Sequence, residues 1–319
     1  RWARRVQQPA RALPTALWSL AKLDLELPAG SLAQVEATVL RSLDDFTPQG
    51  IFNTLWALAH FGGSKPSQQL LEALVAAMLD RLEWFKPSEL AMTYWSLAKL
   101  KHALAPVPLE RLQGRLLAVS LDFSMSEVSC VLYGASCMGK PDPLFLGQLV
   151  KQAFAMSHMW STESISILAF TLGLIEHSPG DRLMARLRAE ASQHVEQLGP
   201  HSMANVLWGF ARLRCRLEPE ALGRAEELLQ QRLAGGELRG QDLANTAWAA
   251  AWHWDCAPRA SLVAALGEQV LAGVASMTLS QLVRCVLCLS TLGWRPDAAQ
   301  AAALAALEVT VPASREGME

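Results

Sequence analysis

Through most of the chain, apolar residues recur three and four positions apart, the interval that lines one face of an α-helix. Residues 67–85, SQQLLEALVAAMLDRLEWF, carry Leu70, Leu71, Leu74, Val75, Met78, Leu79 and Leu82 in this pattern, and residues 219–235, PEALGRAEELLQQRLAG, repeat it. Between such stretches lies a second kind of helix, with a Trp among small residues: NTLWALA at 53–59, MTYWSLA at 92–98, NVLWGFA at 205–211 and NTAWAAA at 245–251. Its starts are punctuated by TPQG at 47–50, KPSE at 86–89, SMSE at 124–127 and TLSQ at 278–281. Ser124 with Glu127 and Thr278 with Gln281 have capping-box spacing. Pro48 and Pro87 suit a first helical turn, and Gly62, Gly139 and Gly293 suit helix ends.

Aligned on the Trp, the anchors are Trp18, Trp56, Trp95, Tyr133, Ala169, Trp208, Trp248 and Leu287, separated by 38, 39, 38, 36, 39, 40 and 39 residues. Each unit is therefore a helical hairpin that buries its apolar faces by stacking on its neighbours. The predicted fold is all-α, a solenoid of about eight hairpins with a 36–40-residue period. It forms one repeat domain over 1–309, with PDAAQAAALAALEV at 296–309 as the last second helix and 310–319 as a disordered tail.

Position within the repeat assigns tasks. The residues one before and two after the Trp are large and apolar in most copies, as in Leu55 and Leu58 or Leu207 and Phe210, and belong to the core. The Trp is placed with them, because the same register holds Tyr133, Ala169 and Leu287 and so tolerates any apolar side chain. Positions one and three after it are small: Ala57 and Ala59, Ser96 and Ala98, Gly209 and Ala211, Ala249 and Ala251. They let adjacent hairpins approach closely.

A polar line, read as lying opposite the Trp, runs through positions seven before, three before, one after and four after it. It comprises Arg11, Thr15, Ser19 and Lys22 in the first copy; Gln49, Asn53, Ala57 and His60 in the second; Ser88, Met92, Ser96 and Lys99 in the third. Later copies give His201, Asn205, Gly209 and Arg212; Gln241, Asn245, Ala249 and Trp252; and Ser280, Arg284, Cys288 and Thr291.

The period, the two-helix layout and the phrases PQGIFNTLWALAHFG, PSELAMTYWSLAKL, SMANVLWGFARL and GQDLANTAWAAA resemble octotricopeptide repeats, with heptatricopeptide and FAST-kinase-like repeats similar in style. The resemblance covers about residues 9–309; the fourth and fifth copies are degenerate, and no C-terminal RAP-type domain is recognised. It implies an RNA-binding protein of a mitochondrion or, alternatively, a chloroplast, serving RNA processing, stability or translation, or an accessory constituent of an organellar ribosome contacting rRNA. On that reading Lys22, Asn53, His60, Ser88, Lys99, His201, Asn205, Arg212, Asn245 and Arg284 contact RNA. Amides read base edges, cations hold phosphates, and a small residue leaves room for a base, about one base per repeat. Each has a plainer reading: an Asn in the first turns can bond a neighbouring repeat, and a cation near a helix C-terminus is favoured by the dipole alone.

Composition bounds these readings. Net charge is −2, which argues against a non-specific nucleic-acid coat but not against one basic face. A protein–protein scaffold is the alternative, and ribosomal or other organellar proteins are possible partners in either case. The basic start RWARR suits either the stub of a cleaved leader or the tail of an earlier helix. No apolar run reaches the roughly 18 residues of a membrane span, so no membrane partner is expected. The six Cys fit no small disulfide framework, and CVLC at 285–288 lacks the second pair a structural zinc site needs. GASCMG at 134–139 is no phosphate loop, and no nucleophile–base pair stands out. Catalysis, metal, cofactor and small-molecule substrate are not expected.

Overall fold

A computed structural model describes residues 8–28, 30–61, 65–138, 142–176, 179–253, 260–298 and 301. Gly62, Gly139, Trp254, Cys256, the side chain of Arg11, most of the expected helix at 296–309 and the tail at 310–319 lie outside the described residues. The described residues are all-α, with fifteen α-helices and no strand.

The chain divides into two compact units, residues 1–160 and 161–319. The first unit holds α1 (Gln8–Lys22), α2 (Ser31–Ser42), α3 (Pro48–His60), α4 (Gln68–Asp80), α5 (Pro87–Lys99), α6 (Pro106–Ala118), α7 (Met125–Cys137) and α8 (Pro143–Ala155). The second holds α9 (Thr162–Leu174), α10 (Asp181–Gln193), α11 (Pro200–Arg212), α12 (Pro219–Ala234), α13 (Gln241–His253), α14 (Ala260–Gly273) and α15 (Leu279–Thr291). Odd-numbered helices carry the anchor, aromatic in all but α15. Within the first unit α1, α3, α5 and α7 pack in succession, as do α2, α4, α6 and α8 behind them; in the second, α9, α11, α13 and α15 form one layer and α10, α12 and α14 the other. This is the stacking expected of a helical solenoid.

Local chemistry explains the repeat boundaries. The Thr47 hydroxyl accepts from Gly50 N–H at 3.2 Å, and Pro48 opens α3. Ser124 and Glu127 form the predicted capping box on α7, as do Thr278 and Gln281 on α15. Between most second helices and the next anchor helix lies a 3₁₀ turn ending on a buried apolar residue: Phe46, Phe85 and Phe123 are the first three. Each stands just before the N-cap, where a hydrophobic staple fixes the entry angle of the helix. At the other end, the residue six after the anchor takes the left-handed conformation: Asp24, Lys101, Glu176, Arg214 and Gly293, with φ of 55°, 55°, 51°, 55° and 89°. Long-reach bonds such as His102 N–H to Leu97 O at 3.1 Å and Cys215 N–H to Phe210 O at 2.8 Å close these ends.

That left-handed position corrects the register of the fifth copy. Counting back six residues from Glu176 gives Phe170, and the Phe170 ring lies 4.9 Å from that of Trp208. Phe170, not Ala169, is the anchor; Ala169 is fully buried one position earlier. The anchor is thus aromatic in seven of eight copies, the exception being Leu287, which is 63% exposed. Tolerance of Ala therefore gives no ground for calling the position mere core. Trp56 and Trp208 are buried, whereas Trp18, Trp95 and Trp248 are half-buried.

The small residues are packing residues. A Cβ on Gly209 would meet the Ala169 carbonyl oxygen at 2.1 Å, and one on Gly134 would meet the Tyr94 ring at 2.6 Å. The position after the anchor is where consecutive anchor helices touch, so it is no floor for a base.

Candidate nucleic-acid interface

In an α-helix, residues three or four apart share a face. The positions three before and four after the anchor therefore flank it on one face, and the polar line does not run opposite the aromatic column. In the first unit the two interleave. The Trp18 and Trp56 ring centroids are 6.1 Å apart, Trp56 and His60 3.6 Å, and His60 and Trp95 5.4 Å. Lys22 Nζ lies 5.7 Å from the Trp18 centroid and 5.0 Å from Trp56, and Lys99 Nζ lies 4.9 Å from Trp95. Such cation–π contacts hold the ammonium groups over the rings. Both lysines are exposed, and neither forms an ion pair among the described residues.

His60 is no third cation. Burial lowers its pKa, partly offset by the Trp56 carbonyl 2.8 Å from Nδ1, and Lys99 and Lys22 lower it further. At neutral pH the ring is uncharged, donates from Nδ1 to that carbonyl, and acts as one more plane in the ladder. Burial also lowers the Lys99 pKa. Ser88 is exposed at the start of α5.

A concavity of about 360 Å³ opens over α1, α3 and α5, lined by Thr15, Trp18, Lys22, Gln49, Phe52, Asn53, Trp56 and Met92. Seven of these eight belong to the columns at, three before, four after or seven before the anchor; Phe52 and the apolar character of Met92 are what the polar-line reading did not use.

The second unit has the same ladder but a different chemistry. Trp208 and Trp248 are 6.0 Å apart, and the Arg212 guanidinium lies 5.8 Å from each centroid. Arg212 also forms an ion pair with Glu176, which neutralises it toward a phosphate. Arg216, outside the predicted set, lies 4.8 Å over Trp252 and donates to its carbonyl at 3.0 Å. Arg284 is exposed on α15 and lies on no ring among the described residues.

The amides of this unit are engaged with one another. Gln281 Nε2 donates to Gln241 Oε1 at 3.0 Å, Gln241 Nε2 to Asn245 Oδ1 at 2.8 Å, and Asn245 Nδ2 to Asn205 Oδ1 at 3.2 Å. Asn205 Nδ2 then lies 3.0 Å from His201 Nε2, and His201 Nδ1 lies 2.6 Å from the Asp242 carboxylate. The chain runs in one direction from α15 through α13 to α11. The Asp242 hydrogen bond raises the His201 pKa, with burial opposing it. Asn245 is fully buried and Asn205 is 8% exposed. These two residues and His201, read as RNA contacts, instead tie neighbouring repeats together. The two buried asparagines are stabilising there because each has its partner.

Among the described residues no three potential metal ligands cluster. Burial pushes the Cys285 thiol up to about 12 and raises that of Cys288, so this pair is poorly disposed to ionise. No described helix is long and apolar enough to cross a membrane. No family model matches the chain, and no curated protein matches it.

Proposed function

We propose that the chain binds single-stranded RNA along the anchor-helix face of its first unit, without catalysing a reaction. The observation that carries this reading is the pair of exposed lysines, Lys22 and Lys99, held over the Trp18, Trp56 and Trp95 rings and forming no ion pair among the described residues. Ring faces on which bases stack, beside cations that hold phosphates, are the elements of single-strand recognition. The resemblance to octotricopeptide repeats supports the same reading. It extends the proposal to a mitochondrion, or alternatively a chloroplast, and to RNA processing, stability, translation or contact with rRNA. Binding to single-stranded RNA, followed over a salt series, tests it. Each phosphate contact adds about 0.7 to the slope of log affinity on log salt, so Lys22→Gln with Lys99→Gln should lower that slope by about 1.4. An unchanged slope, or no binding by the parent chain, rejects the proposal.

A second reading has its own observation. Trp84 and Met159, at matching places in the turns before α5 and α9, are 74% and 58% exposed, and Leu121 in the intervening turn is 84% exposed. A row of exposed apolar side chains suits a protein partner, so a scaffold without RNA contact would use this edge of the first unit. Trp84→Ser with Leu121→Ser should then abolish co-purification of the partner, and the parent chain should not bind single-stranded RNA.

A further inference from the structure

Asn53, Asn205 and Asn245 stand at one register, three residues before the anchor, but only the last two have the partners just described. The Asn53 side chain is 7% exposed and makes no hydrogen bond to any described residue. The reason lies in its row. Its neighbours at that position are Thr15 on α1 and Met92 on α5, neither a carboxamide, and a thioether is at best a weak acceptor. A carboxamide has two donor hydrogens and an acceptor oxygen, and those of Asn53 are not sealed from solvent, so they are free to meet a ligand. Asn53 opens instead into the concavity bounded by Trp18, Phe52, Trp56 and Met92, with the exposed Gln49 in the same wall.

We propose that this concavity takes one unstacked base of an RNA strand, its ring against the half-buried Trp18 with Trp56 in the wall behind, and its hydrogen-bonding edge on the Asn53 carboxamide, with an adjoining phosphate on Lys22. This rests on the RNA-binding reading and sharpens it: base selection occurs at Asn53, while the amides of the second unit read nothing. A planar aromatic wall, a carboxamide with donor and acceptor side by side, and a cation at the rim together match a nucleotide. A strand is specified, and not a free nucleotide, because the ladder continues past the concavity through His60 to Trp95 and Lys99.

The test uses the 319-residue chain with single-stranded decamers of A, C and U and with the three mononucleotides. Affinity is read by anisotropy, contact by tryptophan quenching, and folding by the melting temperature. The parent chain should rank the decamers unequally and bind mononucleotides about a hundredfold more weakly. Asn53→Asp, which keeps the shape but replaces donors with an acceptor, should change the ranking and weaken the preferred decamer about tenfold. Lys22→Gln should weaken all decamers alike. Should Asn53→Asp fail to fold, Gln49→Ala with Lys22→Gln decides: both sites are exposed, and the pair should weaken the preferred decamer and reduce quenching. Decamer binding that none of these variants alters overturns the base pocket and spares the RNA-binding reading. No decamer binding by the parent chain overturns both. Mononucleotides binding as tightly as decamers would overturn the assignment to a strand.

Discussion

Gly209→Ala isolates the contact between consecutive anchor helices. In an exposed helix interior, Gly→Ala stabilises by about 0.8–1 kcal/mol, because Ala loses less backbone freedom on folding. At Gly209 the new methyl would lie 2.1 Å from the Ala169 carbonyl oxygen, 2.4 Å from its carbon and 2.9 Å from the Phe170 nitrogen. All three are backbone atoms, so no rotamer change relieves the clash, and α9 must move away from α11. Favourable carbon contacts lie at about 3.5–4.0 Å, so the required movement is about an ångström or more. Overpacking a well-fitted interface costs about 1–3 kcal/mol, and rigid backbone on both sides puts this site at the upper end. The propensity gain offsets about a third, leaving a net loss of roughly 2 kcal/mol. Gly223 in α12 has nothing within 4 Å of its virtual Cβ and is the internal control; Gly223→Ala should show the propensity gain alone. Urea melts of the two variants by circular dichroism measure the difference, with unequal midpoints at equal slope. Equal, stabilising shifts would mean that the anchor helices do not approach as closely as Gly209 requires, and the assignment of the small residues to packing would fall.

Trp56→Ala removes a buried ring that spans two repeats and should destabilise by about 3–5 kcal/mol in chemical denaturation. Asn245→Ala strands Asn205 Oδ1 in the interior and should cost about 1–3 kcal/mol by the same measurement, without changing RNA affinity. His201 has a pKa raised by Asp242, so its contribution to stability is complete below the unfolded value of about 6.5 and disappears as pH rises through the folded value. Melts from pH 5.5 to 8.5 should therefore show a decline that His201→Gln flattens.

How far the sequence discloses this molecule depends on how local each feature is. Hairpins, caps and core faces are legible because they are set by residues within a turn or two, such as Ser124 with Glu127. The fifth anchor is not, because Ala169 and Phe170 are adjacent and the choice rests on a contact with Trp208, 38 residues later in the chain. Arg212 looks like Lys22 and Lys99 by position, yet its charge is met by Glu176 in the preceding repeat. The placement of the cations relative to the rings was open to geometry alone, since four residues is one helical turn. The three asparagines state the problem most sharply. NTLW, NVLW and NTAW are nearly the same phrase, but Asn205 and Asn245 lie within 3.2 Å of each other and Asn53 stands between Thr15 and Met92. An amide at this register is structural when the neighbouring repeat also has an amide there, and is left for a ligand when it does not. A repeat's contribution to binding is therefore read from the pair of repeats, through residues about 40 positions apart.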